Sequence, residues 1–178
     1  MVNEERTIPP RSTIRFEKVS FQQFLEGIRD CFGYAIPDDV AREIYDNIKL
    51  PKRSTGGSAG YDIFSPFDMT VYPNSYQKIP TGIRFVTDDI RCVFLAIVPR
   101  SGLGFKYGSK LSNTIGIIDS DYYLSDNEGQ IMVKMTGEKE FSIEQGKAIC
   151  QGIIMPYLVV NDDHENGVRN GGFGSTGV

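Results

Sequence analysis

Two aspartates separated by one residue, Asp119 and Asp121, close an apolar run, Ile115-Gly116-Ile117-Ile118, that follows Asn113 and leads into Tyr122. Acids at that spacing on a strand point to the same side, and a carboxylate ionised at neutral pH can take a proton from water. A strand ending in an acidic turn does not by itself explain a side-chain amide, a glycine and an aromatic ring at these intervals. Four further segments carry groups that a plain β-sandwich does not need. Asp62 interrupts the start of a strand in Ser58-Ala59-Gly60-Tyr61-Asp62. Arg100, Ser101 and Gly102 follow the most hydrophobic strand; a planar donor fork, a hydroxyl and an unobstructed backbone suit phosphate oxygens. Gln151 interrupts an apolar strand, where a buried amide needs partners. Arg169 opens a glycine-rich C-terminus holding Phe173 and Gly174. Such a tail can order on a ligand, its ring stacking on a base and its amides wrapping phosphates.

The remaining composition narrows the chemistry. His164, the one histidine, lies in the polar stretch Asn161-Asp162-Asp163-His164-Glu165-Asn166 and reads as a solvated loop side chain. Cys31, Cys92 and Cys150 are far apart and form no C-x-x-C pair. Cys92 and Cys150 sit in apolar runs as buried, inert thiols, whereas Cys31 ends a helical pattern and reads as the most exposed. Neither a histidine triad nor a multi-histidine metal cage is expected, which leaves carboxylates, hydroxyls, arginines and hard cations. The 178 residues carry 19 Lys+Arg against 23 Asp+Glu, a net charge of −4, and this acidic balance argues against a nucleic-acid partner. The longest apolar run, Cys92 to Val98, is strand-sized, well short of the ~18 residues of a membrane span. Met1-Val2-Asn3-Glu4-Glu5-Arg6 shows no secretory pattern. A cytoplasmic protein with no membrane partner is expected.

The elements that must hold these residues change character along the chain. Residues 1–55 read as a helical N-terminal extension. Phe21, Phe24, Leu25 and Ile28 share one helical face behind a Ser20…Gln23 capping box. A second helix starts near Pro37-Asp38-Asp39 with a stripe of Val40, Ile44 and Ile48. Residues 56–168 read as a β domain of short strands separated by Gly, Pro, Asn and Asp. The candidate strands are Met69–Tyr72, Ile79–Val86, Cys92–Val98, Ile115–Ile118, Gln130–Met135, Ala148–Met155 and Tyr157–Val160. This pattern indicates a mainly β protein: a sandwich, jelly roll or barrel. Residues 169–178 read as a mobile glycine-rich arm.

Taken in order, the five segments resemble the motifs of the homotrimeric deoxyuridine triphosphatase (dUTPase) family, from about Gly57 to the C-terminus. The resemblance implies a jelly-roll-like β-barrel that hydrolyses dUTP to dUMP and pyrophosphate with Mg²⁺, each site being built from three subunits. Asp119 then orients and deprotonates the water that attacks the α-phosphate, and Tyr122 lies against the deoxyribose, leaving no room for a 2′-hydroxyl. Asn113 and the backbone near Ile117, Ile118 and Met132 read the uracil edge. Arg100, Ser101, Gly102 and Gln151 hold the phosphates, with Arg169 and Gly174 in the arm and Phe173 closing over the base. Asp62 orders waters around the metal. The chain departs from the family pattern at two places. Tyr123-Leu124-Ser125-Asp126-Asn127-Glu128 separates Tyr122 from Gly129, where the family has a single residue, and Arg169 precedes Phe173 by four positions, where the family has five. Two other readings compete: a dCTP deaminase-like enzyme of the same fold, and a regulatory nucleotide-binding or interaction protein that uses the N-terminal helices.

Overall fold

The computed structural model describes residues 13–32, 36–88, 93–164, 167 and 171. Helix α1 (Phe21–Phe32) forms where the apolar spacing predicts it and buries Phe24, Leu25 and Ile28. Gln23 N–H donates to Ser20 Oγ at 3.2 Å, as a capping box requires. The reciprocal acceptor comes from far along the chain, because Ser20 N–H donates to Glu128 Oε2 at 2.7 Å. Helix α2 (Asp38–Asp46) carries Asp38 and Asp39 in its first turn, where carboxylates oppose the positive end of the helix dipole. Its buried face is rotated from the expected stripe: Val40 is 43% exposed, while Ala41 is fully buried. The ring of Tyr45 turns that face toward α1, with its centroid 5.7 Å from those of both Phe21 and Phe24.

The strands among the described residues are β1 (Ile14–Lys18), β2 (Gly60–Phe64), β3 (Met69–Val71), β4 (Tyr76–Pro80), β5 (Ile83–Thr87), β6 (Val93–Pro99), β7 (Lys110–Leu111), β8 (Gly116–Ile118), β9 (Met132–Thr136), β10 (Phe141–Ile143) and β11 (Ala148–Pro156). They form a four-stranded sheet β2-β11-β6-β8, a three-stranded sheet β4-β9-β7 and two pairs, β1-β5 and β3-β10. All ladders are antiparallel. Ile131, Val133 and Met135 point into the core at alternate positions, and Ile63, Ile79, Phe85, Leu95 and Ile149 meet them there. The result is a mainly β, jelly-roll-like barrel with the N-terminal helices packed on its outside.

Several expected boundaries move for identifiable reasons. The run Ile79–Val86 is two strands, because the chain turns at Thr81-Gly82. Gly82 has φ +69°, and a Cβ there would lie 2.3 Å from Ile48 Cδ1, so only glycine fits. Tyr157–Val160 is not a strand; β11 ends at Pro156, opposite Val93, the first residue of β6. Leu158 is accordingly 97% exposed. No helix is expected after Arg100, yet Ser101–Tyr107 form helix α3, which ends at Gly108 in the left-handed conformation, φ +63°. Ile14–Lys18 adds a strand within the first 55 residues and pairs with β5. Cys150 is buried as expected, and Cys31 is half-buried, its thiol pushed up to about 11 by burial. Cys92 lies outside the described residues.

Candidate active site

The chain crosses from the three-stranded to the four-stranded sheet between β7 and β8, and the crossing leaves a cleft of about 550 Å³, within the ~300–1,000 Å³ usual for small-molecule sites. The crossing is tight. Ile115 N–H donates to Asn113 O at 2.7 Å, and Thr114 takes φ +67°, a region that β-branched residues rarely occupy. That turn sets Asn113 on the rim. Gly116 then lets β8 lie close on β6, since a Cβ there would approach Ile97 Cβ to 3.2 Å. Asn113, Gly116, Ile117, Ile118, Asp119, Tyr122 and Met132 all line the cleft. Asp119 and Asp121 are not on a strand, because β8 ends at Ile118 and a 3₁₀ turn begins at Tyr122. Tyr122 N–H donates to Asp119 O at 3.1 Å, which fixes acid and ring side by side. Tyr122 is 7% exposed.

One lining residue carried no signal in the sequence. Lys78, on β4, reaches the cleft and pairs with Asp30 of α1. The hydrogen bond to the Asp30 carboxylate raises the Lys78 ammonium above its usual range. Only the register of β4 on β9, Lys78 opposite Lys134, brings it there.

A second cluster gathers Asp62, Arg100 and Gln151. The ladder sets Gln151 between Asp62 of β2 and Val98 of β6. Gln151 Nε2 donates to Pro99 O at 3.3 Å, which supplies the partner its position in an apolar strand demands. Its Oε1 fills the space over Gly60, where a Cβ would stand 2.2 Å away. Arg100 Nε lies 3.1 Å from Asp62 Oδ1, and Ser54 Oγ donates to Asp62 Oδ2 at 2.9 Å. Arg100 is the N-cap residue of α3, and Ser101 and Gly102, both exposed, form the first turn beside it. Arg169, Phe173 and Gly174 lie outside the described residues.

The two clusters stand apart in one chain. Ile118 pairs with Leu95, so Asp119, just past the end of β8, follows on near Phe94, whereas Arg100 follows the far end of β6, six residues on. At ~3.3 Å per residue their backbones are roughly 20 Å apart along the strand.

A β-barrel with a small-molecule cleft ending in a carboxylate, and a separate arginine–hydroxyl turn, has the layout of a nucleotide-binding enzyme. The family model described as dUTPase matches residues 46–177. The deoxyuridine 5'-triphosphate nucleotidohydrolase of Lactococcus lactis is 40% identical over 136 residues, 74% of this chain and 89% of that protein. Its counterpart in Albidiferax ferrireducens is 40% identical over 138 residues, 72% of this chain and 89% of that protein. The crystal structure of dUTPase from Streptococcus mutans superposes with a TM-score of 0.60 at 27% identity, covering 83% of this chain and 98% of that one. Staphylococcus bacteriophage 80alpha dUTPase with dUPNHPP has the same fold, with a TM-score of 0.58 at 19% identity over 93% of this chain and 99% of that one. The chain belongs to the dUTPase family.

Proposed function

We propose that the chain hydrolyses dUTP to dUMP and pyrophosphate, with Asp119 as the general base. The observation that carries this reading is the cleft itself, with Asn113 on its rim and the Asp119–Tyr122 pair beside it. The carboxylate of Asp119 takes a proton from a water as that oxygen bonds to the α-phosphorus. The bond from this phosphorus to the bridging oxygen breaks, and pyrophosphate leaves with its electron pair. Asn113 and the backbone at Ile117, Ile118 and Met132 read the uracil edge; a mismatched base leaves buried polar groups unpaired, at about 1–3 kcal/mol each. The Tyr122 ring lies against the deoxyribose and rejects a 2′-hydroxyl.

Arg100, Ser101, Gly102 and Gln151 hold the phosphates, and Arg169, Phe173 and Gly174 close over the substrate from the C-terminal arm, residues 169–178. The phosphate cluster lies at the far end of β6 from Asp119, roughly 20 Å along the strand, which supports a homotrimer whose sites are shared between copies. The charge-bearing donors of the phosphate cluster fit Mg²⁺ in one way. Asp62 already binds Arg100 and Ser54, and among the described residues there is no group of three His, Cys, Asp or Glu able to hold a metal. Asp62 would hold the ion through water, the mode of a hard cation that keeps its waters and takes substrate phosphate oxygens. When bound, Mg²⁺ neutralises the triphosphate and the departing pyrophosphate. No described helix is long and apolar enough to cross a membrane; with a free nucleotide as substrate, we take the cytoplasm as the site of action.

Pyrophosphate release across dUTP, dCTP, dTTP and UTP, with and without Mg²⁺, tests the assignment. Turnover confined to dUTP and stimulated by Mg²⁺ is expected; ammonia from dCTP would make the protein a deaminase instead.

A further inference from the structure

We propose that Asn127 is a positioning residue for Tyr122, and that helix α1 braces it through Glu128, so that the segment 123–128 and the N-terminal helix together set the enzyme's preference for deoxyribose. This rests on the reading that Tyr122 packs against the sugar. Asn127 Nδ2 donates to the Tyr122 hydroxyl at 2.8 Å, and Asn127 Oδ1 accepts from Gly129 N–H at 3.1 Å. The amide is thus held at one end by backbone and holds the ring at the other. The segment folds back on the tyrosine: Ser125 N–H donates to Tyr122 O at 3.0 Å, and Gln130 N–H to Asn127 O at 3.0 Å. Gly129 closes the loop at φ +72°, so near the backbone that a Cβ would lie 2.5 Å from Tyr123 Cα.

Glu128, between the two, takes φ +54°, a conformation few non-glycine residues adopt. Its carboxylate accepts from Ser20 N–H at 2.7 Å and from Ser20 Oγ at 2.5 Å, which ties the loop to the start of α1. Glu128 N–H also donates to Ser125 O at 2.8 Å, so backbone and side chain together hold this residue in its unfavourable conformation. The ring of a tyrosine that must exclude a single hydroxyl group cannot drift by much. Asn127 fixes its tip, and α1 fixes Asn127.

The test compares kcat and KM for dUTP and UTP in Tyr122→Ala, Tyr122→Phe, Asn127→Ala, Asn127→Asp, Glu128→Ala and the double variant Tyr122→Phe/Asn127→Ala. Asn127→Ala should lower the dUTP-over-UTP ratio of kcat/KM by about tenfold, the scale of one lost hydrogen bond to a reading group, mainly by lowering KM for UTP. Tyr122→Phe, which also removes the longer 3.5 Å bond from the hydroxyl to Gln130 O, should lower the ratio at least as far, and the double variant should lose no more than Tyr122→Phe alone, because the two share the Asn127–Tyr122 bond. Asn127→Asp still accepts from Gly129 and can accept from the tyrosine hydroxyl where Asn127 donates to it, so it should keep the ratio near wild type. Glu128→Ala should move it the same way by a smaller factor. An unchanged ratio in Asn127→Ala alongside a lowered one in Tyr122→Ala would overturn the proposal and leave the reading of Tyr122 standing. An unchanged ratio in Tyr122→Ala would overturn both.

Discussion

The two ends of strand β6 are built on different principles. At its start, one chain supplies a complete cleft: a tight turn, a glycine, an acid and a ring, all within Asn113–Tyr122, plus Met132 from a neighbouring strand. At its finish, Arg100 pairs with Asp62 and Gln151 donates to Pro99 O, beside an open surface lined by Pro99, Arg100 and Ser101. On the proposed reading, the first end encloses base and sugar within one chain, because their recognition needs enclosure. The second holds charge that is already paired, and it becomes useful only when something brings a triphosphate to it. On that reading, the contrast makes base selection a property of the protomer and catalysis a property of the assembly.

The sharpest way to break that contrast is at Asp119. Asp119→Asn should lower turnover at least ~100-fold, the lower range for losing a general base, while a non-hydrolysable dUTP analogue still binds. Unchanged turnover would remove Asp119 from the chemistry. Arg100→Ala should lower kcat/KM roughly 10–100-fold, the equivalent of one or two charge-assisted hydrogen bonds, yet leave the choice between dUTP and dCTP intact. A changed base preference would contradict the division between the two ends.

Gly129→Ala strikes the nucleoside end alone. Its Cβ would stand 2.5 Å from Tyr123 Cα at φ +72°, and such strain costs about 2 kcal/mol or more, some 5 °C in the melting midpoint for a chain of this size. An unaltered midpoint would mean that the loop after Tyr122 relaxes freely. The smallest effect lies outside both ends. Glu17 on β1 accepts from Arg15 and from Arg84 of β5 at 2.6 and 2.7 Å, and these bonds, Arg15's first, hold its carboxyl below its ordinary value of 4.5. A lowered folded-state value gives stability that is complete above pH 4.5 and lost as pH falls through it. Glu17→Gln should therefore lower the midpoint at pH 7 by at most about 3 °C. The gap between variant and wild type should close in acid; a gap that widened there would reverse the sign of the argument.

Much of the nucleoside end was legible because it is contiguous. Asn113, Gly116, Asp119 and Tyr122 stand within ten residues, and a turn plus a short strand suffices to bring them together. The phosphate end was legible as separate residues and as their order, since a polar side chain in an apolar strand, such as Gln151, demands a partner. What the sequence did not yield depends on register and distant packing. Lys78 enters the cleft only through the pairing of β4 with β9. Helix α3 has no buried residue, so no apolar stripe announces it. Tyr157–Val160 has the β-branched residues of a strand but no ladder partner beyond Val93, and composition cannot see that. The acceptor that completes the cap of α1 is Glu128, more than a hundred residues from Ser20, beyond any local pattern.

The claim that the two ends meet only between copies has a direct test. Asp119→Asn and Arg100→Ala chains, each reduced to about a tenth of wild-type activity or less alone, are co-expressed in equal amounts and the mixed trimers assayed for pyrophosphate release from dUTP. If each site takes Asp119 from one chain and Arg100 from its neighbour, about a quarter of sites in a random mixture of a cyclic trimer regain both groups, so activity should return to about a quarter of wild type. A mixture no more active than its two components would show that one chain supplies both groups, and the account would fall.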